Sequence, residues 1–106
     1  MAPPPTLRRQ LNQASRERQR RILDFRVERV LNLLKDENLA TRAALDLNPK
    51  EGILLECGFV GEVWNDPRVA ARVRQLADRG VIAEPIIHEF EAGGRSFSRS
   101  QIRIRF

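Results

Sequence analysis

The sequence predicts an α+β domain that is mainly helical and ends in a β-hairpin. A helical pattern without internal proline or glycine covers residues 6–36, and apolar residues recur with helical spacing over residues 67–79. After Pro85 the apolar period changes to two, which is typical of strands. We therefore expect residues 1–6 to form a flexible Pro-rich arm and residues 7–106 a single small domain with a long basic N-terminal helix.

The first helical segment changes character along its length. Thr6 is a suitable N-cap, and the pattern continues to about Asp36 as one helix or two. Its first half is rich in arginine and is expected to project as a basic rod or to lie as a solvated surface helix. Its second half is apolar around much of its circumference and is expected to be buried. The apolar residues of that half are Ile22, Leu23, Phe25, Val27, Val30, Leu31, Leu33 and Leu34.

Two shorter helices are predicted in the middle of the chain. The first covers about residues 37–47, with Asn38 or Thr41 as its cap. The run Asn48-Pro49-Lys50-Glu51 has the composition of a capping box and predicts a helix from Pro49 to Cys57, which Gly58 would end. The segment from Gly58 to Asp66 is then a connection to the next helix.

The best-defined amphipathic helix follows Asp66, which is a suitable N-cap, and Pro67, which suits the first helical position. Gly80 marks its end. One stripe of this helix is apolar and faces the predicted core, whereas polar and basic residues share another face. The apolar stripe contains Val69, Ala70, Val73, Leu76 and Ala77, and the polar face contains Arg68, Arg72, Gln75 and Arg79.

The C-terminal segment alternates as a hairpin does. Ile86, His88 and Phe90 alternate with Ile87, Glu89 and Glu91, and residues 92–95 contain a Gly-Gly pair suited to a tight turn. The return run to Phe106 alternates in the same way and predicts a basic outer face. That face would contain Phe97, Arg99, Gln101, Arg103 and Arg105, with Arg95 at the turn.

The charge is unevenly distributed along the chain. The protein has 19 basic and 14 acidic residues, a net charge of +5, and only two of its basic residues are lysines. Basic and acidic residues number nine and four in residues 1–36, two and six in residues 37–66, and eight and four in residues 67–106. The arginine bias is typical of phosphate or guanine contacts and equally of a GC-rich genome. Two basic ends around an acidic middle indicate a directional contact surface.

Several functional classes find little support. No apolar run is long enough to cross a bilayer, and the N-terminus has no apolar segment of a secretory signal, so we expect a cytoplasmic protein without a membrane partner. Cys57 is the only cysteine and His88 the only histidine, which disfavours a zinc site and leaves one thiol and one imidazole as the sole nucleophile and base pair. We predict no enzyme activity, no metal and no cofactor.

Two passages resemble winged helix-turn-helix domains such as that of the SOS repressor. Residues 18–25, Arg-Gln-Arg-Arg-Ile-Leu-Asp-Phe, are similar to the opening helix of these domains, and residues 72–106 resemble the end of a recognition helix, its glycine stop and the wing. The resemblance implies that the recognition helix reads bases and that the wing contacts the backbone. It assigns Arg68, Arg72, Gln75 and Arg79 to the groove and Arg95 and Arg99 to phosphates.

We therefore expect a nucleic-acid-binding protein, with DNA favoured over RNA, that regulates transcription. The basic N-terminal helix adds Arg18, Arg20 and Arg21 as phosphate contacts. The alternative is a small structural or adaptor subunit of a large assembly, such as a phage or virus particle or a ribonucleoprotein. A homodimer formed through the N-terminal helix is compatible with both functions.

Overall fold

The computed structural model describes residues 6–45 and 52–106. Residues 1–5 of the predicted arm and the predicted helix start at Pro49 lie outside this part of the chain. The described elements are α1 (Leu7–Leu33), α2 (Asp36–Leu45), β1 (Ile53–Glu56), α3 (Val60–Val63), α4 (Pro67–Asp78), β2 (Ile82–Ala92) and β3 (Arg95–Arg105). The predicted α+β class, mainly helical with a C-terminal hairpin, is confirmed.

The N-terminal segment is one continuous helix. The Thr6 hydroxyl accepts a hydrogen bond from the Arg9 amide at 3.3 Å, so Thr6 caps α1 as expected. Val27 and Val30 are buried, and so is Leu34 at the C-cap. The prediction that the whole second half is buried is wrong, because only one side of α1 faces the core there. The exposed fractions of Ile22, Leu23 and Phe25 are 39%, 38% and 64%.

The predicted second helix exists as α2, but it is not capped as expected. The Asn38 amide donates to the Asn32 carbonyl at 2.5 Å, and the Thr41 hydroxyl donates to the Glu37 carbonyl at 2.8 Å within the helix. The helix begins earlier, at Asp36. Both side chains therefore donate to backbone carbonyls, one in α1 and one within α2, and neither accepts from the N-terminal amides of α2.

The helix predicted to end at Cys57 is wrong over its described part, because residues 53–56 form strand β1. Ile53 pairs with Ile104 and Leu55 pairs with Ile102 on strand β3. Ile53 and Leu55 are buried, and this alternation fits a half-buried strand. Pairing with β3 satisfies the backbone groups and buries both side chains, which outweighs a local capping pattern.

The segment predicted as a connection contains the short helix α3. Val60 and Val63 are fully buried, so this turn is held by the core. Three residues, Trp64 to Asp66, separate α3 from α4. The Asp66 carboxylate accepts from the Arg68 amide at 2.9 Å, and Pro67 occupies the first turn, which confirms the predicted start of α4. Helices α3 and α4 are therefore joined by a tight turn.

The three strands form an antiparallel sheet with the order β1-β3-β2. Gly93 and Gly94, with φ values of 61° and 75°, form the predicted turn between β2 and β3. Two successive positive φ values are characteristic of the type I′ turn that matches strand twist. Ala83, Ile102 and Ile104 are buried on the face that meets the helices, which we call the core face of the sheet.

The core joins α1, α3, α4 and the sheet. Its fully or nearly fully buried members come from all of these elements, so the side chains of each element are covered by those of the others. Within the described residues, no helix has the combination of length and apolarity needed to cross a membrane. The most buried side chains are Leu34, Leu76, Ile102, Ile104, Val27, Val30, Val60, Val63 and Val69.

Removing one of these side chains tests the arrangement. Leu76 is 1% exposed, so Leu76→Ala leaves a cavity between α4 and its neighbours and should lower the free energy of unfolding by about 2–5 kcal/mol. The matched control is Leu7→Ala, because Leu7 is 69% exposed in α1. Urea unfolding should find the control within about 0.5 kcal/mol of the wild type. Equal losses for the two variants would contradict this core.

Candidate nucleic-acid interface

Helix α4 presents one polar face away from the core. Val69 and Leu76 point inward and are buried, whereas Ala71, Arg74, Gln75 and Asp78 are exposed. Residues three and four positions apart share a helix face, so these four side chains lie together. We call them the outer face of α4. Its polar side chains are the part of the helix that can contact a ligand without displacing other elements.

Arg72 joins α4 to the end of α1. Its guanidinium donates two hydrogen bonds to the Leu34 carbonyl, from Nε at 3.0 Å and from Nη2 at 2.6 Å. Leu34 is the C-cap of α1, so its carbonyl is among those without a partner inside that helix. The Arg72 side chain is only 20% exposed. Its contacts therefore stabilise the packing of α4 against α1.

Asp36 lies between two arginines of α4. Its Oδ1 is 2.8 Å from Arg72 Nη2 and 2.8 Å from Arg79 Nη1. Hydrogen bonds from Arg79 and then Arg72 hold the pKa of Asp36 well below its ordinary value of 3.8. The hydrogen bond between Arg79 and Asp36 in turn raises the pKa of Arg79. The start of α2 is thus tied to α4 by a carboxylate that stays ionised.

Arg68 makes a similar connection at the start of α4. Its guanidinium lies 3.0 Å from a carboxylate oxygen of Asp66 and 3.0 Å from one of Asp24 in α1. Hydrogen bonds to Asp66 and then Asp24 raise the pKa of Arg68, and the bond from Arg68 lowers the pKa of Asp66. The Arg68 side chain remains 46% exposed, so it can still meet a ligand from solvent.

The predicted groove residues therefore fall into two groups. Arg68, Arg72 and Arg79 hold carboxylates of α1, α2 or the turn, whereas Gln75 lies on the outer face of α4 and accepts a bond of 3.5 Å from Arg72. Arg74, which shares the outer face with Gln75, was not among the predicted contact residues. Its position five residues after the buried Val69, on nearly the opposite side of the helix, was the available signal.

The hairpin arginines differ in the same way. Arg99 forms an ion pair with Glu56 at the end of β1, and Gln101 donates to the same carboxylate at 2.7 Å. Bonds from Arg99 and then Gln101 lower the pKa of Glu56. The Arg99 side chain stays 61% exposed. Arg95, beside the turn, is exposed and forms no ion pair with the described residues.

Helix α1 carries the remaining predicted contacts. Arg18, Arg20 and Arg21 are exposed, and none of them pairs with a carboxylate among residues 6–45 and 52–106. The Arg21 side chain donates to the Glu17 carbonyl of its own helix at 3.5 Å. The structure does not bring these residues into the face formed by α4. They lie instead on the part of α1 that extends beyond the core.

Cys57 and His88 do not form a nucleophile and base pair. Cys57 is buried, and burial raises the pKa of its thiol, which disfavours the reactive thiolate. It follows Ile53 and Leu55 on the core face, whereas His88 is exposed and pairs with Arg99 in the hairpin. Among the described residues, no cluster of three or more histidine, cysteine, aspartate or glutamate side chains is arranged to hold a metal ion.

Comparison of this chain with family models, curated proteins and solved structures found no match.

The Asp36 contacts predict a specific dependence of stability on pH. A carboxylate whose pKa is depressed by folding stabilises the protein above its ordinary pKa, and this contribution is lost as the pH falls below 3.8. Asp36→Asn should therefore lower Tm at pH 7, and its difference from the wild type should shrink in acid. Thermal unfolding followed by circular dichroism measures both effects.

Glu37→Gln is the matched control, because Glu37 also lies in the first turn of α2 and loses the same charge. It should reproduce any general effect of charge at that helix end. If both variants change Tm equally at every pH, the contacts with Arg72 and Arg79 contribute nothing specific.

Proposed function

We propose that this protein is a small winged-helix domain that binds DNA and regulates transcription in the cytoplasm of its cell. The observation that carries the proposal is the pair α3 and α4, joined by three residues and followed by an exposed basic hairpin. A helix-turn-helix places its second helix in the major groove, and its turn has three or four residues. The order of the elements, two helices, a strand, two helices and a hairpin, supports the same assignment.

In this proposal the outer face of α4 enters the groove. Gln75 and Arg74 are the side chains suited to base edges, because glutamine pairs with adenine and arginine with guanine. Arg68 and Arg79 lie beside this face, with side chains 46% and 57% exposed, and can contact phosphates. Arg72 is too enclosed for the groove and positions its neighbours.

The hairpin and α1 supply sequence-independent affinity. Arg95 and Arg99 project from the hairpin, and Arg18, Arg20 and Arg21 project from α1. Each phosphate neutralised by such a side chain releases counterions, so binding weakens as salt rises. Asp78 on the outer face of α4 repels phosphates by its negative charge. This repulsion favours a defined orientation of the helix on DNA.

Selection from a random-sequence duplex library tests base recognition. The wild type should enrich a common sequence, and Arg74→Ala or Gln75→Ala should each reduce discrimination at one position by about 1–3 kcal/mol. Arg105→Ala is the control, because it removes one positive charge that pairs with Glu84 on the sheet face opposite the core. The control should keep the sequence preference.

Three results would contradict the proposal. The first is the absence of duplex binding at low salt, where the phosphate contribution is largest. The second is binding by the wild type without any sequence preference. The third is a sequence preference that survives both substitutions on α4. Each result would leave the domain without base recognition through α4.

A second candidate function is to act as a subunit of a larger assembly. The exposed apolar side chains on one side of α1 favour it. Leu7, Leu11, Ile22 and Phe25 are spaced so that they fall on one side of the helix. Phe25 and the buried Val27 are two positions apart and point in nearly opposite directions. The exposed fractions of these residues are 69%, 61%, 39% and 64%, so a partner can contact them while the core stays intact.

This candidate predicts association through α1. Phe25→Glu should release the protein from a larger complex, or from a homodimer, in size-exclusion chromatography with light scattering of native material. Asn12→Asp is the control, because it also adds one negative charge to an exposed position of α1. A wild-type protein that elutes as a monomer from native material, with no co-purifying partner, would remove this candidate.

A further inference from the structure

The hairpin formed by β2 and β3 extends well beyond the core. Every residue from Ile87 to Arg99 is exposed, although each strand has 11 residues. Ile87 still meets the domain, since a Cβ on Gly61 of α3 would lie 3.2 Å from its Cδ1. We call residues 88–99 of the hairpin the arm, which is a different segment from the predicted Pro-rich arm at the N-terminus. Its length is not needed to close the core, so its exposed side chains are available for another purpose.

The two faces of the arm differ in chemistry. The pairing of Phe90 with Phe97 and of His88 with Arg99 places aromatic and basic side chains on one face, which Arg95 continues at the turn. On the other face, Glu89 pairs with Ser98 and Glu91 pairs with Ser96. Successive strand residues alternate between faces, so the separation follows from the register. One face attracts anions and the other repels them.

Phe90 and Phe97 form the centre of the basic face. Their ring centroids are 5.6 Å apart and their planes differ by 21°, so the rings are stacked across the two strands. Such a pair helps to hold a hairpin together. Neither ring is buried by this stacking: the exposed fractions of Phe90 and Phe97 are 49% and 44%. A flat apolar ligand group could extend this stack.

Arginines lie on both sides of the aromatic pair. Along β3 the sequence Arg95, Phe97, Arg99 places a cation, a ring and a cation at successive positions of one face. Arg99 forms an ion pair with Glu56, whereas Arg95 forms no ion pair with the described residues. A ligand that matches this order has a flat aromatic group between two negative groups.

We propose that this face of the arm binds single-stranded nucleic acid, with an unpaired base stacked on Phe90 and Phe97 and the flanking phosphates on Arg95 and Arg99. Every base has a π-face, so stacking with cationic neighbours binds single strands with little sequence preference. A base inside a duplex is already stacked and cannot make this contact. The inference rests on the proposed nucleic-acid function but uses a surface separate from α4.

Fluorescence anisotropy with labelled oligothymidine, oligouridine and a mixed-sequence duplex tests the proposal at low salt. The double variant Phe90→Ala and Phe97→Ala should bind oligothymidine at least about tenfold more weakly. Its affinity for the duplex should change less than about twofold, because α4 and the arginines remain. The oligouridine measurement shows whether the site binds RNA as well as DNA. Loss of binding to either single strand in the alanine variant supports the same stacking site.

Three further double variants separate stacking from folding, from simple apolar contact and from changes on the opposite face. Phe90→Tyr with Phe97→Tyr should keep single-strand affinity within about twofold, because tyrosine also stacks. Phe90→Leu with Phe97→Leu keeps apolar side chains without aromatic rings and should behave like the alanine variant. Ser96→Ala with Ser98→Ala changes the opposite face and should leave both affinities unaltered.

The outcomes distinguish this inference from the proposed function. No binding of the wild type to either single strand overturns the inference, as does equal binding by the wild type and the leucine variant. Equal weakening of single-strand and duplex binding in the alanine variant also overturns it. Sequence-independent duplex binding together with aromatic-dependent single-strand binding would remove the proposed function and leave the stacking site in place.

Discussion

The burial of one side of α4 is the constraint on which the rest of the domain depends. Val69 and Leu76 lie in the core together with residues of α1, α3 and all three strands. A helix of 12 residues is marginal by itself in water, so α4 is stable because its neighbours cover this side. The same contacts decide which side of α4 faces solvent. The outer face with Arg74 and Gln75 is therefore a direct consequence of the core.

The arginines of α4 show how one residue type serves two purposes. Arg72, enclosed and bonded to the C-cap carbonyl of α1, completes a helix end and joins two helices. Arg68 and Arg79 pair with Asp24, Asp66 and Asp36 but stay about half exposed. Surface ion pairs of this kind contribute only a modest part of the stability. Such pairs instead hold long side chains in place, which lowers the entropy lost when they meet an anion.

The hairpin reflects a different compromise. Its base closes the sheet, where Ile102 and Ile104 of the central strand are buried, while its arm continues into solvent. An isolated two-stranded ribbon is weakly stable, and the type I′ turn with the Phe90 and Phe97 stack compensates for the lack of a packed face. The same exposed rings are the ones that we propose to stack against an unpaired base. The stability of the hairpin and the proposed stacking of an unpaired base therefore depend on the same two rings.

Local patterns in the sequence determined the parts of the fold that need few distant contacts. The cap at Thr6, the Asp66-Pro67 start of α4 and the Gly93-Gly94 turn all follow from chemistry between near neighbours. The charge pattern likewise determined a basic N-terminal helix and a basic hairpin. Tertiary structure alone decided that residues 53–56 form a strand, because their partners on β3 lie about fifty residues away along the chain. It also decided which arginines of α4 hold carboxylates, since Asp24 and Asp36 are distant from α4 in sequence and lie beside it only in the folded structure.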